Sequence, residues 1–227
     1  MCANFLTANK SVLTERFHVE APGAEYEAEV FPGHFAPFIA CSRAKSSYGQ
    51  KRCAVGRFGL VAPWTKIEDV RETHNARSEG VESKPSYRNA VQQGQFCVVP
   101  VAAMFEWRHL PTGRERWKIA AAGDEALGIA GIWEYKKGGL HGNPLLSFAM
   151  LTINADAHPL YSRYNAPGDE KRMPIILRPD QYDAWLHCSA DEAPEFFARY
   201  SAELLVAQPS PKPTPRRQSP QQSLFNE

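Results

Sequence analysis

Four stretches of this 227-residue chain place reactive or polar side chains where their types and spacing could do chemistry. The first is the opening, MCANF. Residue 2 is small, so Met1 is expected to be trimmed. That leaves Cys2 with a free α-amine and a thiol two carbons apart. Such an aminothiol captures an aldehyde as a five-membered thiazolidine, which no internal cysteine can do. The second stretch is HNARSE, residues 74–79. Alternation puts Asn75, Arg77 and Glu79 on one face of an extended segment. An Asn and an Arg together suit phosphate or sugar oxygens; a solvated strand face is the plain alternative. The third is MFEWRH, residues 104–109, where Glu106 ends an apolar run between Phe105 and Trp107. That carboxylate is either turned to solvent or desolvated. If desolvated, its raised pKa would suit proton transfer near neutral pH. The fourth is HPLYSRYNAPGDEKRMPIIL, residues 158–177, a polar connection whose Pro-Gly-Asp content makes a turn.

These residues need a frame. A chain of this length holds one domain and a full core. Hydrophobic content of 43% and charge of 22% fit a globular protein. No apolar run is long enough for a membrane span, and the start lacks the pattern of a signal peptide, so a cytoplasmic location is expected, nucleoid-associated when engaged. Five cysteines without CxxC or Cys/His ligand spacing argue for reduced thiols and against a zinc site. No metal or cofactor is expected. Net charge is +1; the tail from residue 207 carries a net +2 and the body is near −1. Any nucleic-acid binding must therefore use a local patch rather than a bulk field.

The stretches 58–62, 96–107, 115–121, 127–135, 145–155 and 172–178 read as strands, with Pro100 marking an edge or bulge. Ser83 is expected to cap a helix through SKPSYRNAVQQ, and residues 179–187 to form another. Ser189 and Glu192 then make a capping box before APEFFARYS. The pattern predicts an α+β single domain over 1–206, a mostly antiparallel or mixed, barrel-like β core with a few flanking helices. Residues 207–227, with five prolines, predict a disordered tether.

Met-Cys, FGLVAPW, NARSE with KPSYR, CVVPVAAMFEW, TINA and PGDEKRMPIIL occur in this order across nearly the whole body. Together they resemble the SOS response-associated peptidase (SRAP) family, understood as abasic-site crosslinking proteins. The resemblance implies that Cys2 condenses with the open aldehyde of an abasic site in single-stranded DNA. The amine forms an imine and the thiol closes on it. Ordinary pKa values of about 8.5 and 7.7–8.0 leave both groups partly reactive. Closure is intramolecular and fast, and it removes an imine that would promote strand cleavage. The resemblance further implies that Asn75 orients the amine or sugar, Arg77 holds a phosphate and Glu106 moves protons. Trp64 would stack on bases, where a core aromatic is the alternative, and Trp107 is a further DNA-facing candidate. Lys84 and Arg88 would add phosphate contacts, or form an ordinary helix surface. A monomer is expected.

Two departures stand out. The family usually begins Met-Cys-Gly-Arg; here Ala3 and Asn4 follow Cys2. Asn165 occupies the position of the family's catalytic histidine, and an amide cannot serve as acid or base near pH 7. Crosslinking is then expected to be retained but slower, with release impaired; His158 is a weak substitute candidate. In the tail, Gln221, Ser223, Leu224 and Phe225 match the peptide by which bacterial proteins bind the β sliding clamp. The rival readings are a thiol peptidase with Cys2 as nucleophile, and a non-catalytic module that binds DNA or the clamp.

Overall fold

The computed structural model describes residues 3–42, 48–70, 72–123 and 125–212. Cys2 and the four clamp-motif residues lie outside them. The strands are β1 (Phe5–Thr7), β2 (Glu29–Val30), β3 (Phe35–Cys41), β4 (Lys51–Phe58), β5 (Asn75–Arg77) and β6 (Phe96–Leu110). They continue with β7 (Gly113–Ala121), β8 (Leu127–Lys136), β9 (Leu145–Asn154), β10 (Arg172–Pro174), β11 (Ile176–Leu177) and β12 (Leu205–Pro209). The helices are α1 (Lys10–Phe17), α2 (Arg88–Gln92) and α3 (Tyr182–His187).

Five strands close a ring. β3 pairs with β4, β4 with β9, β9 with β8, β8 with β6, and β6 returns to β3. Only β4–β9 is parallel within that ring, so the barrel is mixed. Side chains alternate across each strand. Phe38, Phe58, Val99, Ile129, Phe148 and Met150 share one apolar cluster. Their neighbours Ile39, Val98, Ala130, Ala149 and Leu151 join a second cluster with Leu13, Val91 and Trp185 from the three helices. The first cluster is therefore the barrel interior and the second the helix-covered outside. Burial on both faces explains why these strands read as nearly continuous apolar runs.

The α+β barrel matches the expected fold class, with local differences. The strand expected at 58–62 ends at Phe58, because Gly59 takes φ 122°, which side chains rarely adopt. Ser83 does not cap a helix; its hydroxyl bonds the Gly80 carbonyl, and α2 starts only at Arg88. Residues 179–187 split into a 3-10 turn and α3. Glu192 does accept hydrogen bonds from the Ser189 amide and hydroxyl, at 2.8 Å each, but they lead into a short 3-10 turn rather than an α-helix. The body also runs past Val206. β12 covers the outer edge of β7 through Pro209, and the Ser210 amide bonds the Arg116 carbonyl. An open β7 edge would leave backbone groups unpaired, which favours this extra strand. Among the described residues no helix is long and apolar enough to cross a membrane.

A buried arginine ties the strands around β9 together. Arg172 on β10 is 2% exposed. It donates to both carboxylate oxygens of Glu79 at 3.0 and 2.7 Å, to Glu170 at 2.7 Å and to the Thr152 carbonyl at 2.6 Å. A buried guanidinium needs such partners. For Glu79, burial opposes ionisation, but the bonds from Arg172 outweigh it and hold the carboxyl below its ordinary 4.5. For Glu170 the Arg172 bond is the leading cause of the same downward shift. A carboxyl lowered in the folded state stabilises the fold above its unfolded pKa and loses that effect as pH falls through the folded value. The melting temperature should therefore fall as pH drops below about 4.5, and less steeply in a Glu79→Gln/Glu170→Gln variant. Equal acid slopes for the two proteins, by differential scanning fluorimetry, would show that this network does not set acid stability.

Candidate functional site

Strand β6 delivers Glu106. It pairs with β7 so that Glu106 faces Trp117 in register. Glu106 is 2% exposed, which settles the choice between solvent and burial. Simple alternation fails here because the opposite face is covered too. The Arg116 guanidinium sits over the Phe105 ring, 3.4 Å from its centre. Glu106 acts on the Tyr164 hydroxyl, whose pKa burial raises first, with Arg163 and Arg108 pulling it down and Glu106 pushing it up.

The start of the described chain lies on the same strand. The Phe105 amide donates to the Asn4 carbonyl at 2.9 Å, and Phe5 opposes Met104. The Asn4 side chain turns inward. Its Nδ2 donates to the Val30 carbonyl at 3.1 Å and its Oδ1 accepts from Arg116 at 2.6 Å. Arg116 also pairs with Glu29. Asn4 is thus a buried structural bond, not a solvent-facing polar group.

The connection from residue 155 to 171 is pinned on two strands. The Asn165 amide donates to the Trp107 carbonyl at 3.0 Å, and Asn165 bridges Arg108. Asn165 takes φ 66°, a region that Asn tolerates better than most residues. Lys171 fixes the turn by donating to the Ala166 carbonyl at 2.6 Å. Five residues past Asn165, Glu170 meets Arg77 at 2.9 Å. One segment therefore links the Glu106 end of β6, through Trp107 and Asn165, to the Arg77 strand.

On β5, Asn75 opposes Met150 and Arg77 opposes Thr152 of β9. Pairing with Met150 and Thr152 keeps Asn75 and Arg77 on one face of β5; Asn75 is buried and Arg77 exposed, and Glu79, past the end of the strand, is exposed. The Tyr87 hydroxyl bonds the Asn75 carbonyl at 3.0 Å. Lys84 and Arg88 flank that tyrosine and are exposed. Trp64 is 56% exposed, which removes the core-aromatic alternative. Trp107 is exposed at the rim, with Arg114 over its ring at 4.7 Å, and Arg108 lies 5.4 Å from the Trp117 ring. Trp64 lies on the connection between β4 and β5, apart in sequence from the strands that carry Glu106.

His158 is not a substitute acid or base. Its Nδ1 accepts from the Leu160 and Tyr161 amides at 3.2 and 3.0 Å, and its Nε2 donates to the Tyr200 carbonyl at 2.8 Å. Both nitrogens are committed to the fold. Sequence reading missed His74, Arg116 and Glu170. His74 is buried against Phe58 at the entry of β5, and its Nδ1 has no hydrogen-bond partner among the described residues. Burial lowers its pKa, Glu72 opposes that and Arg57 adds to it. The one available signal was its place directly before Asn75. Cys41, Cys53, Cys97 and Cys188 carry free thiols, and none is activated. Burial raises all four, Cys53 and Cys188 to about 12. Among the described residues no group of three His, Cys, Asp or Glu is placed to hold a metal ion.

Comparisons with known proteins bear on the fold and the family. A solved protein from Bordetella bronchiseptica superposes with a TM-score of 0.84 at 30% identity, covering 92% of this chain and 100% of that one. One from Bacteroides thetaiotaomicron gives 0.78 at 21% identity, with 93% of each chain covered, and shows the fold alone. The abasic site processing protein HMCES of Gallus gallus is 30% identical over 156 residues, 57% of this chain and 44% of that protein. The abasic site processing protein YMR114C of Saccharomyces cerevisiae is 25% identical over 137 residues, 57% of this chain and 33% of that one. The matches thus span less than half the length of either relative. The family model described as SOS response associated peptidase (SRAP) matches residues 1–212. The chain belongs to the SRAP family.

Proposed function

We propose that this protein processes abasic sites by crosslinking to them in single-stranded DNA through Cys2. The observation that carries the proposal is the bond between the Asn4 carbonyl and the Phe105 amide, one residue from buried Glu106. Cys2 lies two residue steps before Asn4, a span of at most about 7 Å. Chain connectivity alone therefore allows Cys2 to reach the buried Glu106 carboxyl. Family membership and relatives named for abasic site processing point the same way. Burial holds back the thiols of Cys41, Cys53, Cys97 and Cys188, so none of those four competes for the role.

The chemistry balances simply. The α-amine adds to the C1′ aldehyde of the opened sugar, and water leaves as the imine forms. The thiol then adds to the imine carbon, its proton goes to the imine nitrogen, and a thiazolidine results. Glu106 shuttles protons in both steps. Asn75 orients the amine or sugar oxygen. Arg77 binds a phosphate beside the lesion, and Lys84 and Arg88 bind phosphates further along. Trp64 and Trp107 offer rings on which bases stack, worth about 1–3 kcal/mol each. Asn165 hydrogen-bonds the sugar but transfers no proton, so reaction and reversal are slow. The thiol-peptidase alternative loses support from His158, which has no nitrogen to spare for activating a thiol.

On a denaturing gel, the wild type should form a covalent band with an abasic oligonucleotide and Cys2→Ala none. Asn165→His should speed the band's appearance about tenfold or more. A wild type that stays unreactive while Asn165→His reacts would remove the claim that crosslinking is retained.

We also propose that residues 213–227 tether the domain to a sliding clamp through Gln221, Ser223, Leu224 and Phe225. The support is positional. The described chain ends beside the proposed DNA-facing rim, where Trp107, Arg114, Pro209, Pro211 and Lys212 line a cleft of about 360 Å³. A tether from there would hold the site near DNA that the clamp encircles. Clamp pull-down should succeed with wild type and fail with Leu224→Ala/Phe225→Ala; equal recovery of both would refute it.

A further inference from the structure

We infer that Glu170 is a built-in stand-in for a DNA phosphate: it occupies Arg77 in the DNA-free protein and is exchanged for a phosphodiester oxygen when a strand docks. This rests on reading Arg77 as a phosphate-binding residue. A carboxylate and a phosphate present the same kind of anionic oxygens to a guanidinium. Here the carboxylate already holds it, with Arg77 Nη1 at 2.9 Å from Glu170 Oε2.

The two partners are not equally free to move. Glu170 is anchored from behind. Its other oxygen accepts from Arg172 at 2.7 Å and from Asn154 Nδ2 at 3.2 Å. Arg172 is itself buried and locked by Glu79 and the Thr152 carbonyl. Among the described residues Arg77 has no such anchor: its side chain is 57% exposed. Exposed ion pairs of this kind are weak in water, so exchange is easy. When Arg77 swings to a phosphate, Glu170 keeps its bonds from Arg172 and Asn154, with Arg172 then shared between Glu79 and Glu170.

The consequence is selectivity. Phosphate attraction is the same on damaged and undamaged strands. An internal competitor weakens the reversible hold on every strand, but it does not weaken a covalent bond once formed. Glu170 therefore shortens stays on intact DNA and leaves lesions to be retained by chemistry. It is a specificity-determining residue, with no part in the bond-making steps.

The test is fluorescence anisotropy with a labelled, undamaged oligodeoxythymidylate at low salt, using the full chain. Glu170→Gln should bind about two- to fivefold tighter than wild type. Glu170→Asp, which keeps the charge but shortens the reach toward Arg77 by one methylene, should also bind tighter and guards against a folding defect in the first variant. In an Arg77→Gln background the Glu170→Gln gain should vanish. Unchanged or weaker binding by both Glu170 variants would overturn the inference, as would an equal gain without Arg77. Arg77→Gln binding as well as wild type would instead overturn the phosphate role of Arg77 itself.

Discussion

Strand β6 has two edges, and almost every functional placement depends on the segments that bond to them. Its first half closes the barrel between β3 and β8. Its second half exchanges those partners for β1 on one side and β7 on the other. Backbone amides and carbonyls must be paired when water is excluded, so the strand cannot continue without recruiting new neighbours. The start of the chain is one recruit, the β7 hairpin another, and the Asn165 loop a third. Glu106 sits where all three meet.

Two electrostatic designs flank that point. At Glu106, Trp117 lies opposite and Tyr164 is nearby, while Arg116, over the Phe105 ring, is held by Asn4 and Glu29. Glu106 is buried at that point, the placement its proposed proton transfer requires. Around Arg77 the opposite holds. Arg77, Arg172, Glu79 and Glu170 form a linked set of two cations and two anions. These pairs tie β5 and β10 together across β9 and hold Glu79 and Glu170 below their ordinary pKa. The 155–171 connection touches both, through Asn165 at one end and Glu170 at the other.

Much of this was legible in the sequence, for identifiable reasons. β6, β8 and β9 are buried on both faces and declare themselves as long apolar runs. The polar motifs stand out against them, which is why Asn75, Arg77, Glu106 and the Pro-Gly-Asp turn could be singled out. β3 and β4 were harder to see. β3 contains Pro37, and β4 mixes Lys51, Arg52, Gly56 and Arg57 with its apolar residues, because one end of that pair faces water. α1 has little apolar periodicity and is positioned by burial of Leu13 and Phe17. Glu170 was hidden for a different reason. Its partners Arg77 and Arg172 meet only because β5 and β10 flank β9, and no local pattern encodes that pairing. The bond between Asn4 and Arg116 is likewise a long-range contact, made between residues 112 positions apart.

The central claim is that the Cys2 amine and thiol, exposed by loss of Met1, close on an aldehyde held beside Glu106. Intact-mass spectrometry of the purified protein after incubation with single-stranded abasic DNA tests it most directly. The account predicts an adduct whose mass is the chain without Met1 plus the oligonucleotide, less one water. A protein that keeps Met1, or one that shows no adduct although Met1 is gone, would contradict it.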